Sequence, residues 1–161
     1  MHFPEPTIPI EDERQVLLGY LDYFRGVVVD KAAGIETFSA LPSGWTPTEL
    51  LNHLRHVERR WLEWGFEGRQ VTDPWADRKD DRWYTADSLE TLRHDLEQQA
   101  LTTRRIVESH HLDDRGQPSA RWDGADPPPL RRVLLHVLQE YARHAGHLDI
   151  VREIADGTTG E

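Results

Sequence analysis

The chain has 161 residues, 19 Lys and Arg against 29 Asp and Glu, and a formal net charge of −10. That length fits one domain, expected over 1–161, and the acidic balance is opposite to the basic footprint of a nucleic-acid binder, so no nucleic-acid partner is expected. Cysteine is absent, which excludes disulfides, a thiolate nucleophile of the chain's own and Cys-ligated zinc; a bound metal must be held by His and carboxylates.

The opening, "MHFPEPTIPI", places Pro4, Pro6 and Pro9 where a helix interior cannot form. It has neither a basic region nor an apolar run, and no stretch approaches the ~18 consecutive apolar residues of a membrane span. A soluble, cytoplasmic protein without a membrane partner is expected. From Glu11 the spacing of Val16, Leu17, Tyr20, Leu21, Phe24, Val27 and Val28 predicts a first amphipathic helix over 11–33. After the loop "SALPSGWTP", Thr46, Pro47 and Glu49 form a capping-box pattern that starts a second helix over 46–66. A long polar connection with Trp75 and Trp83 leads to a third helix over 87–110, capped by Asp87 or Thr85. A second one, "LDDRGQPSARWDGADPPP", leads to a fourth over 130–155, and "DGTTGE" is a tail. No strand alternation, internal repeat or low-complexity tract is visible. The architecture this predicts is all-α, a four-helix bundle with long inter-helix connections. Bundles usually join helices with short turns, so loops holding Trp and Asp are expected to pack as lids.

At about 100° per residue, the second helix turns Leu50, Leu54, Val57, Trp61 and Trp64 to one side. His53 sits on the edge of that arc and His56 about 60° further toward the polar side. On the fourth helix Leu130, Leu134, Val137, Tyr141 and Leu148 form the apolar arc. His144 falls within it, Glu140 flanks it four residues earlier, and His136 and His147 extend the polar stripe. A carboxylate and an imidazole turned inward are costly unless paired or coordinated. Residues four apart project from one side of a helix, so Glu140 and His144 can occupy two vertices of a metal site, with His53 as a third and the fourth left open. An isolated E-x-x-x-H is more often an ordinary helix pair, and a lone inward His is more often a satisfied core residue. The flanking sequence decides between the two.

"TPTELLNHLRHVERRWLEW" and "LLHVLQEYARHAGHLDIVRE" together resemble the DinB-like superfamily of four-helix-bundle metalloenzymes. Within it they look most like an actinobacterial branch of unknown function related to the mycothiol-dependent maleylpyruvate isomerases. The resemblance covers nearly the whole chain. It implies the DinB-like bundle, often as a homodimer, and a divalent metal, typically Zn²⁺ or sometimes Ni²⁺, held by one His of the second helix and two residues of the fourth. His53 matches the first of these, while Glu140 and His144 match the E-x-x-x-H form found in the isomerases. His147, Asp149 and Arg152 match recurrent positions of the branch. Without a C-terminal extension like that of the isomerases, their reaction is not expected to transfer simply.

Three functions fit these residues. The first is a metal-dependent transferase or isomerase acting on a small molecule with a low-molecular-weight thiol, mycothiol or bacillithiol. Arg152, Arg55 or Arg60 would then hold a carboxylate, with solvated surface charge as the plainer role for Arg55 and Arg60. The second is a metal-dependent hydrolase with His56 or His147 as general base. The third is a non-catalytic metal- or small-ligand-binding stress protein. His56, His147 and Arg152 are thus the candidate catalytic residues, and His56 and His147 are also reserve metal ligands. His136, two turns back, is expected behind the ligands or at the bundle end.

Overall fold

The computed structural model describes residues 12–160; the Pro-rich opening and Glu11 lie outside the described residues. Four helices dominate it: α1 (Glu13–Ala32), α2 (Pro47–Arg59), α3 (Leu89–Glu108) and α4 (Leu130–Asp156), so the fold is all-α as the periodicity predicts. Among the described residues no helix is long and apolar enough to cross a membrane.

The starts and stops follow local chemistry. Asp12 caps α1 by accepting from the Arg14 amide. The capping box of α2 is complete, with the Thr46 hydroxyl accepting from the Glu49 amide and the Glu49 carboxylate from the Thr46 amide. The α3 cap differs from the expected Asp87 or Thr85. Ser88 accepts from the Thr91 amide, because the Thr85 hydroxyl is taken by the Asp87 amide in a tight turn just before it. α4 ends at Gly157, whose left-handed φ of 78° closes the helix with an amide bond to the Glu153 carbonyl.

α2 does not continue as an ideal α-helix. Arg60–Phe66 is wound as a π-helix, ending with a bond from the Glu67 amide to the Leu62 carbonyl. A π turn takes more residues per revolution, so the inward phase slips relative to the wheel above. Leu62 and Phe66 enter the core, and Trp61 and Trp64 are only half-buried.

α1 and α2 each pack against both α3 and α4, so the two helices carrying the inward histidines, α2 and α4, are neighbours. The core between them is aliphatic: Leu18, Leu21, Leu50, Leu51, Leu54, Leu92, Leu96, Leu134 and Leu148 are all sealed from solvent. The connection from α2 to α3 contains a small hairpin that the sequence did not signal, β1 (Arg78–Lys79) paired antiparallel with β2 (Arg82–Trp83). Two residues per strand carry no readable alternation. Its turn is made by Asp80 and Asp81, both at positive φ (52° and 61°), the conformation of a tight hairpin. The hairpin delivers Trp83 to the bundle, and the Asn52 side chain pins its exit by donating to the Tyr84 carbonyl at 2.9 Å.

Candidate functional site

α2 and α4 bring His53, Glu140 and His144 together. One ligand atom from each lies within 4.8 Å of the others, the group among the described residues that is arranged to hold a metal ion. The i, i+4 spacing on α4 sets Glu140 Oε2 3.4 Å from His144 Nε2. Ligand atoms about 2.1 Å from one zinc at a tetrahedral angle stand about 3.4 Å apart, so this pair already has the separation a metal requires. The His53 ring faces His144 edge-on, with ring centres 5.4 Å apart. An N,N,O donor set suits Zn²⁺, Ni²⁺ and other divalent first-row ions.

A second layer fixes His53. Its Nδ1 meets Asp77 Oδ2 at 3.0 Å, which leaves Nε2 for a ligand. Asp77, fully buried, is gripped by Arg60 through Nη1 to Oδ1 (2.7 Å) and Nη2 to Oδ2 (3.1 Å). Arg60 in turn donates to the Pro74 carbonyl and stacks on Trp75, 4.4 Å from the ring centre. His53 and Arg60 hold the Asp77 carboxyl well below the usual range despite its burial, so it stays ionised. Burial lowers the His53 pKa more than Asp77 raises it, favouring the neutral ring that metal ligation needs. The neighbouring His144 lowers the pKa of Glu140 against a smaller effect of burial. Trp83 roofs the cluster, stacked on His53 at 4.2 Å and edge-on to His144 at 5.3 Å.

The other sequence candidates are placed as follows. His147 lies beside the trio, its Nδ1 3.1 Å from His144 Nδ1, and burial lowers its pKa. His56 is not toward the polar side as the wheel put it; it is 1% exposed, and its Nδ1 bonds the Asn52 carbonyl one turn back at 3.0 Å. His136 reaches the far oxygen of Glu140, Nε2 to Oε1 3.6 Å, and lies against Trp61 with ring centres 3.9 Å apart. Arg152 is turned away from the cluster, donating to the Lys31 and Ala33 carbonyls at the end of α1 and pairing with Asp156 at 3.0 Å. It closes a helix end. Arg55 pairs with Asp95 of α3, and Arg60, neither surface charge nor free clamp, is consumed by Asp77.

Sequence reasoning missed Asp77 and Trp83. Asp77 is one of five aspartates between positions 73 and 87, and nothing local distinguishes it. The one available signal was general: an inward histidine needs a partner for its second nitrogen.

The family model described as mycothiol S-transferase matches residues 16–157. No curated protein and no solved structure matches the chain. The match spans nearly the whole chain, which therefore belongs to the mycothiol S-transferase family of the DinB-like superfamily.

Proposed function

We propose that this member of the mycothiol S-transferase family joins the sulfur of mycothiol to a small electrophile, using a divalent metal held by His53, Glu140 and His144. The observation that carries this reading is the convergence of those three side chains in a chain of that family. Held by these residues, a divalent cation would supply Lewis acidity that lowers the pKa of a thiol toward the thiolate at neutral pH. The reaction balances simply: the S–H proton leaves, a C–S bond forms, and the electrophile either expels a leaving group or takes a proton at the neighbouring carbon.

The chain's own residues supply orientation and shelter. Asp77, steadied by Arg60, holds the His53 ring with Nε2 inward. Trp83 covers one side of the site and keeps water from it. His147, next to His144 and half exposed, is the side chain placed to accept the thiol proton. His56 has no such part, since its Nδ1 is committed to the backbone and it is sealed from solvent. The chain brings no cysteine, so the sulfur nucleophile must come from the thiol cosubstrate.

The test compares zinc- or nickel-loaded protein with the chelator-stripped form, measuring mycothiol conjugation to an electrophilic dye and, separately, ester hydrolysis. Metal-dependent conjugation without hydrolysis is expected. Metal-dependent hydrolysis without conjugation would move the site to the hydrolase reading, and no metal-dependent turnover would support a binding role. The homodimer implied by the resemblance is supported by the outward apolar residues Leu135, Ile150 and Ile154 of α4; sedimentation equilibrium measures it directly.

A further inference from the structure

Beside this site lies an arginine with no counter-charge. Among the described residues, nearly every arginine withdrawn from solvent has a polar partner. Arg14, Arg25, Arg55, Arg60, Arg104, Arg131 and Arg152 pair with carboxylates, and Arg59 donates to the Thr72 carbonyl. Arg121 is the exception. It is half-buried, no carboxylate comes within 4.0 Å of it, and its Nε is sealed off without a hydrogen-bond partner. A guanidinium is left so only at a cost, because one donor, Nε, is withdrawn from water without a partner.

The surroundings of Arg121 are built rather than incidental. Its guanidinium carbon lies 5.0 Å from the centre of the Trp61 ring and 5.4 Å from that of Trp122. Those indoles pack edge-to-face at 5.6 Å, and Trp122 is tied to the π segment of α2 by its indole N–H on the Gly65 carbonyl at 2.8 Å. Gly65 is needed for that approach, since a Cβ there would stand 2.9 Å from the Trp122 ring. Trp61, in the π-wound segment, packs half-buried against the core and meets Arg121. Trp61 also lies against His136, which reaches Glu140. Two rings, Trp61 and His136, thus link the arginine to the proposed ligand Glu140. Arg60, the other cation that acts on Arg121, has its charge matched by Asp77, and Arg132, which like Arg121 acts on His136, is exposed to solvent. Burial first, and Arg60 second, press the pKa of Arg121 below the usual guanidinium value.

We infer that Arg121, walled by Trp61 and Trp122, binds the carboxylate of the electrophile, so that this site takes planar, unsaturated or aromatic acids. The inference rests on the transferase reading for the identity of the reaction, but not for the existence of the anion site. A carboxylate offers two oxygens to the guanidinium fork, and a flat substrate body would lie along the half-buried indoles of Trp61 and Trp122. The three arginines singled out from sequence are all engaged elsewhere.

The test uses zinc-loaded full-length protein, mycothiol, and a matched pair of probes, 4-chloro-3-nitrobenzoate and its methyl ester. In both, the thiolate displaces chloride. Rates are compared after division by the uncatalysed rates, since the two rings differ in reactivity. Wild type should favour the acid by about 10- to 100-fold in kcat/KM, the size of a charge-assisted contact. Arg121→Gln should erase that preference and leave the ester's kcat/KM and the KM for mycothiol unchanged, with Arg121→Lys intermediate. No preference in wild type, or an equal fall for both probes, overturns the inference. A rise in the KM for mycothiol alone would overturn it too, by assigning the arginine to the thiol. If neither probe turns over, the transferase reading fails and quenching of tryptophan fluorescence by the acid decides the anion site. Saturable binding weakened at least tenfold in Arg121→Gln sustains it, whereas equal binding in the two proteins overturns it.

Discussion

Two carboxylates on neighbouring helices, one buried and one half-buried, meet opposite fates in this bundle. Glu58, on α2, is fully buried and saturated. Arg25 of α1 donates to both of its oxygens (Nε to Oε2 at 3.2 Å), Tyr141 of α4 donates to Oε2 at 2.9 Å, and Thr103 of α3 donates to Oε1. Each helix contributes one residue, and the charges and hydrogen bonds close on themselves. Burial and Glu58 together raise the pKa of Tyr141, and the nearby negative charge outweighs burial in raising that of Arg25. Glu140, one residue before Tyr141, has instead two imidazoles at 3.4 and 3.6 Å, long for hydrogen bonds, and leaves lone pairs unspent. The contrast separates a polar cluster that holds the helices in register from one whose donor atoms converge on a shared centre.

Substitutions can break this contrast, beginning with the largest effect. Glu58→Ala removes the hub of the closed network and leaves buried Arg25 with only the exposed carboxylate of Asp22 for a counter-charge. A loss of about 3–5 kcal/mol in unfolding free energy is expected, read by denaturant titration, with metal binding by the remaining folded protein unchanged. Asp77→Ala acts on the open cluster, where the readout is the metal. Metal affinity should fall about 10- to 100-fold as His53 loses its orienting partner, measured by competition with a chelating dye. Tyr141→Phe deletes one bond to a buried carboxylate and should cost on the order of 1.5 kcal/mol with no change in metal affinity. Arg55→Ala breaks a partly exposed pair with Asp95 and should cost less than about 1 kcal/mol, diminishing further in high salt.

What the sequence made legible follows from the range of the interactions involved. The helices were readable because apolar spacing and the Thr46–Glu49 box are local. His53, Glu140 and His144 could be singled out because two of them share a helix face and the third lies on an inward arc, and the structure places their ligand atoms side by side. The phase slip at Arg60–Phe66 was not readable, since a π turn depends on the loop that docks on it through Trp122 and Gly65. Arg60, Asp77 and Arg121 were misjudged or missed for the same reason. Their roles are set by partners 17 or more residues away or by enclosure, for which a single chain offers no spacing rule.

The central claim is tested most directly by counting metal. Protein loaded with Zn²⁺, desalted and analysed by plasma mass spectrometry should carry about one ion per chain in the wild type and in the His56→Ala and His147→Ala variants. His53→Ala, Glu140→Ala and His144→Ala, shown by cooperative melting to be folded, should carry almost none, and their melting should no longer respond to added zinc. If those three keep the wild-type stoichiometry, or if it falls only when His56 or His147 is removed, the proposed ligand set is contradicted.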